Sequence, residues 1–134
     1  MTFWSRKFLE ALLPAILVYF FQFLATLLNV YLYVPYYDTP MHVLGGVGIS
    51  MGMWHLGEAA REKRFWSIRS RGMYIFLIVV STISVAVLWE WYEFIVDSLN
   101  LLRFQGTIGD TMKDLFCGMI GALGMAIWLT KDKK

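Results

Sequence analysis

Four apolar stretches follow one another along the chain, at about 8–34, 41–57, 73–96 and 112–129. The first contains a single charge, Glu10 near its start. At ~1.5 Å per residue it is more than long enough to cross a hydrocarbon core of ~30 Å. Pro14 falls near its beginning, where a proline is best tolerated. The second stretch is short and glycine-rich, with Gly45, Gly46, Gly48, Gly52 and Gly57; the third holds a β-branched block over 78–87; the fourth carries Gly118, Gly121 and Gly124. Backbone polar groups in lipid must be satisfied within their own segment. The pattern therefore predicts an all-α, four-transmembrane-helix bundle forming one membrane domain over 1–134. Gly48-x-x-x-Gly52 predicts close helix packing, because small residues let backbones approach in lipid. A cleaved signal peptide does not fit the first stretch, whose apolar run far exceeds an h-region of ~7–15 residues.

Composition sharpens the class. The chain is 58% hydrophobic and 17% aromatic with only 16% charged residues, and its mean hydropathy is +0.56. Ordinary soluble domains are about 45–50% apolar. These values exclude a disordered chain and a soluble nucleic-acid binder, and the single cysteine, Cys117, excludes a disulfide scaffold. Cys117 reads as an inert buried thiol. The net charge of +2 matters less than its distribution. Arg6 and Lys7, then Arg61, Lys63, Arg64, Arg69 and Arg71, then Lys131, Lys133 and Lys134 lie in three segments that a four-span topology puts on one side. Only Arg103 and Lys113 fall on the other. The positive-inside rule then predicts a multi-pass cell-membrane protein with both termini cytoplasmic. Trp4, Tyr31, Tyr33, Tyr36, Tyr37, Trp66, Trp89, Trp91, Tyr92 and Trp128 fall near span ends as interfacial anchors, and membrane lipid is the expected partner.

The acids are sorted as sharply. Asp38, Glu90, Glu93, Asp97, Asp110 and Asp114 all fall toward the predicted external ends, together with His42. Asp38 and His42 are four apart, Glu90 and Glu93 three apart, and Asp110 and Asp114 four apart, so each pair shares a helical face. Glu90 lies about 9 Å inside the end of its span at ~1.5 Å per residue. Ionisable groups at such depth are costly and are functional candidates by default. Arg103 and Lys113 are too few to neutralise these carboxylates. Three resolutions compete: a divalent metal (Zn, Mn, Fe or Mg) held among Asp38, His42, Glu90, Glu93, Asp110 and Asp114; internal pairing within a hydrogen-bonded network; or a proton-carrying site. Asp110, with Thr111 beside it, also suits the N-cap of the last span. Gly106-Thr-Ile-Gly109 reads as a turn, since it lacks the Gly-Lys-Ser/Thr ending of a phosphate loop.

Asp38-Thr-Pro-Met-His42-Val-Leu-Gly45-Gly46, Trp89-Glu90-Trp91-Tyr92-Glu93 and Gly106-Thr-Ile-Gly-Asp110-Thr111-Met-Lys-Asp114 together resemble the small VanZ-like and YjdF-like (DUF2238-type) integral membrane proteins. The resemblance covers about residues 36–125 and rests on the combination, since no one motif is specific. VanZ-like proteins commonly have Asn at the position of Asp114, which favours the YjdF-like branch. The resemblance implies a link to the cell envelope without an agreed reaction. Lipid phosphatases that need a Ser-Gly-His motif are excluded, because the chain has none. Three functional readings stay open. One is an enzyme in which Glu90, Glu93 and His42 act as acid/base groups on an envelope or lipid-linked substrate. Another is a non-enzymatic headgroup- or cation-binding protein or small transport subunit. The last is an acidic cluster that only ties helices together.

Overall fold

The computed structural model describes residues 3–34, 36–65, 68, 70–99 and 106–132. It contains four long helices, α1 (Phe3–Leu27), α3 (Asp38–Glu62), α4 (Arg71–Ser98) and α5 (Ile108–Leu129), and a single-turn α2 (Val30–Tyr33). The 8–34 stretch is therefore not one continuous helix. Leu28 and Asn29 donate backbone hydrogen bonds to the Leu24 and Thr26 carbonyls, and Asn29 turns left-handed at φ 53°. Asn is one of the few residues other than glycine that visits this region readily. Pro14 also sits deeper in α1 than the first turn; its carbonyl instead packs against Gly48 of α3.

Local chemistry starts the other helices. Pro40 lies in the first turn of α3, where its missing N–H costs nothing, and Asp38 places a negative charge at the positive end of the helix. The Ser70 hydroxyl accepts from the Met73 amide at 3.4 Å to begin α4. Thr107 caps α5 through a capping box completed by Asp110.

α3 packs against α1, α4 and α5, and α4 also packs on α5. Directions follow from the contacts. Gly48 meets Pro14 and Gly52 meets Ala11, so α3 runs antiparallel to α1. Ser50 lies beside Thr82 and Gly57 beside Tyr74, so α3 also runs antiparallel to α4. α3 and α5 run parallel, in rungs four residues apart: His42 beside Asp114, Gly46 on Gly118, Ser50 on the Ala122 carbonyl. A Cβ on Gly46 would fall on the Gly118 carbonyl oxygen, and one on Gly121 would fall on that of Val43. This seam needs glycine for backbone contact.

The burial pattern is that of a bundle in lipid. The interior is built of small residues, with Ala122, Ala126 and Ser50 fully buried, while Leu13, Phe20, Phe76, Leu88 and Phe116 are all more than half exposed. α1, α4 and α5 are long and apolar enough to cross a membrane. α3 is as long as α1 but less apolar. Its position among the other three explains this: one side of it, with Gly46, Gly48, Ser50, Gly52 and Gly57, is buried against protein, so small residues can replace leucine there, while Leu44 and Leu56 remain exposed. Midway down, the Ser50 hydroxyl lies 3.2 Å from that of Thr82, which donates to the Ile78 carbonyl at 2.8 Å.

Candidate metal centre

One end of the bundle collects the first turns of α3 and α5 and the last turns of α4. Asp38 and His42 stand one turn apart on α3, and the glycine rung below brings α5 close enough for Asp114 to reach the same imidazole. His42 Nε2 lies 3.5 Å from Asp38 Oδ1 and 3.9 Å from Asp114 Oδ2. One ligating atom from each of the three residues lies within 4.8 Å of the others. Two ligands each ~2.1 Å from a shared zinc in tetrahedral geometry are ~3.4 Å apart, close to the two measured spacings. The Asp114 side chain is 6% exposed, and its Oδ1 accepts no hydrogen bond among the described residues. Lys113 Nζ stands 3.6 Å from that oxygen. A histidine with two carboxylates is a donor set that suits Zn, Mn or Fe.

Glu90 and Glu93 are both buried, side by side on α4, and within electrostatic reach of His42. They are not members of the three-residue group. The Trp89 indole donates to Glu93 Oε1 at 2.9 Å, and the Thr111 hydroxyl is a hydrogen-bond partner of Glu90.

Asp110 stands apart from the expected ligand set. It is also not the N-cap of α5, a role that Thr107 takes. Its Oδ2 accepts from the Thr107 backbone amide at 3.1 Å and from the Thr107 hydroxyl at 3.0 Å, and Lys113 Nζ lies 3.3 Å from Oδ1. The reason is positional. As the third residue of α5, Asp110 has an unsatisfied amide within reach behind it, whereas Asp114, one turn further in, faces α3.

Arg103, the second expected counter-charge, lies outside the described residues. Cys117 is half-buried rather than enclosed. Trp89, read from the sequence as an interfacial anchor, instead turns inward to Glu93. Its four-residue spacing from Glu93 was the available signal. Thr111 carried no signal separating it from an ordinary helix residue, whereas the glycines read as close helix packing meet as expected at Gly46 and Gly118.

The fold and this end of the molecule define a helical membrane protein with a histidine–carboxylate cluster at one end of its bundle. The family model described as predicted membrane protein (DUF2238) matches residues 3–134, and the chain belongs to that family. This agrees with the YjdF-like side of the resemblance; the VanZ-like side stays a loose association. No curated protein and no solved structure matches the chain.

Proposed function

We propose that Asp38, His42 and Asp114 bind a divalent cation at the external face of the cell membrane. In this reading Glu90 and Glu93 are buried acids beside the site, and the substrate is an envelope or lipid-linked molecule presented from the outer leaflet. The carrying observation is the convergence of three ligating atoms from two helices within 4.8 Å. Topology follows from the charge partition: the described basic residues Arg61, Lys63, Arg64, Arg71 and Lys131 lie at the opposite end of the bundle.

The test is a titration of the detergent-solubilised protein with Zn, Mn and Mg, read by melting temperature and by elemental analysis of the bound ion. A cation that binds only the folded state stabilises it by about 2.7 kcal/mol at a hundredfold excess over Kd. The Asp110→Ala variant should keep the metal response while lowering the metal-free melting temperature, because it removes a cap and no ligand. A flat titration with all three metals would sink the reading.

A second reading is favoured by the Trp89–Glu93 hydrogen bond, in which the acids form a proton-sharing network that ties α3, α4 and α5 together. It predicts no metal response and a nearly harmless Glu90→Gln, since an amide can replace a protonated acid there.

A further inference from the structure

Next to His42 the bundle holds a cavity of about 120 Å³. Gly45 and Ile49 of α3, Val18 and Tyr19 of α1 and Ala86 and Trp89 of α4 line it, and His42 is part of the same lining. Trp89 and Thr82 both line it; at ~1.5 Å per residue the space runs ~10 Å from the level of the site toward mid-span.

Two features say what the space admits. The first is its side wall. α1 and α4 meet edge-to-face at Tyr19–Trp89, with ring centroids 5.7 Å apart, but do not pack along their lengths. Between them the cavity is bounded by the side chains of Val18, Tyr19, Ala86 and Trp89 rather than by packed backbones. The second is Gly45. A Cβ there would meet nothing nearer than Val18 Cγ1 at 4.0 Å. Neighbouring Gly46 is held to glycine by the Gly118 backbone, whereas Gly45 leaves room that a larger side chain would fill. The lining is apolar apart from His42, Gln22, Thr82 and the polar edges of Tyr19 and Trp89. Apolar cavities stay dry, and one of ~150 Å³ takes a benzene-sized guest. A space of this size at membrane depth suits one segment of a single hydrocarbon chain, not a fused ring system.

We propose that this cavity takes a hydrocarbon chain of an anionic membrane amphiphile, which enters sideways between α1 and α4 and brings its headgroup to the cation held by Asp38, His42 and Asp114. The proposal rests on the cation reading for the headgroup and on the cavity alone for the chain. His42 belongs to both, which sets the ligand's register: charge above, hydrocarbon beside and below.

The experiment uses the full chain in phosphatidylcholine vesicles doped with phosphatidic acid whose acyl chain carries a mid-chain diazirine, with zinc present. Illumination and peptide mapping should place the label on the α1 and α4 segments around Val18 and Ala86. Gly45→Leu, which fills the space, should cut that labelling several-fold. Should Gly45→Leu fail to fold, Ala86→Leu fills the cavity from the other wall. Chelation of zinc should bring phosphatidic acid labelling down to that of a diazirine phosphatidylcholine. Label spread evenly over lipid-exposed positions such as Leu13 and Leu88, unchanged in the filled variants, would overturn the proposal. Labelling confined to the cavity but indifferent to zinc and headgroup would overturn the cation reading and leave the chain site supported.

Discussion

The two ends of the bundle treat the same kinds of residue differently. At the end carrying the 58–72 loop, acids meet opposite partners. Glu58 accepts from Arg61 at 2.8 Å and from the Tyr74 hydroxyl at 3.0 Å, and Glu10 lies 3.9 Å from His55. Arg71 donates to the Thr130 hydroxyl and the Ile127 carbonyl, both at 3.4 Å. At the other end Asp38, Glu90, Glu93 and Asp114 gather around one histidine, and Lys113 is the one cation beside them among the described residues. Both ends use glycine to bring the groups together. Gly57 admits Tyr74 against α3, and Gly46 admits Gly118. The lesson is that a polar layer which only joins helices can be balanced within the chain. At the crowded end the described residues offer one lysine to four acids, so that on the reading proposed above protons or an ion from outside complete the balance.

The largest effect should come from the glycine seam. Gly46→Val drives a side chain into the Gly118 backbone, which cannot swing aside as a flexible side chain can. Overpacking typically costs about 1–3 kcal/mol and occasionally more; here the obstacle is backbone, so the variant should fall at the upper end and lose both its cooperative melt and any zinc response. Gly57→Ala meets only the end of the Tyr74 side chain and should fold, with a lower melting temperature and an intact zinc response. Equal damage from the two would mean that the ends are not built differently.

Next in size is the separation of stability from binding. Asp114→Ala should abolish the metal-dependent rise in melting temperature, a loss of about 2.7 kcal/mol at a hundredfold excess over Kd. Tyr74→Phe removes a hydrogen bond to a charged group, worth about 1.5–3 kcal/mol, and should lower the metal-free melting temperature without touching the metal response. A metal response that survives Asp114→Ala would break the comparison at its centre.

Much of this was legible in the residue order, for reasons that differ by feature. Lipid forces spans to be helical, so runs such as 73–96 could be located closely. The halt at Asn29 was hidden because nothing in the surrounding apolar run marks a break. α3 was visible as a helix but not as the central one, since that depends on which faces of α1, α4 and α5 cover its glycines. For the site, the i, i+4 spacing of Asp38 and His42 was informative because it lies within one helix. The choice of Asp114 over Asp110 was not, because both share a face of α5, and only the parallel register of α3 and α5 decides which one meets His42. The cavity beside His42 left no mark at all: it depends on how α1 and α4 sit beside α3, where they meet at Tyr19–Trp89 without packing along their lengths.

The smallest effect is the most discriminating in sign. Lys113 is 43% exposed and stands 3.6 Å from Asp114 Oδ1. If Asp114 is a cation ligand, lysine and metal compete for one carboxylate, and Lys113→Gln should tighten zinc binding. The pair is solvent-screened, so the gain should not exceed about fivefold, the factor that corresponds to a strong surface ion pair. If instead Lys113 is the charge that completes an internal network, the same substitution leaves Asp114 without its counter-ion, lowers the melting temperature and creates no affinity for zinc. Arg61→Gln provides the matched control. Arg61 is 53% exposed and pairs with Glu58 at 2.8 Å, so its loss should change stability by no more than about 1 kcal/mol and leave the zinc isotherm where it was. Zinc isotherms on the two variants in the same detergent decide it. Weaker binding in Lys113→Gln would show that the lysine orders the carboxylate rather than competing for it, and the crowded end would then be balanced from within, like its counterpart.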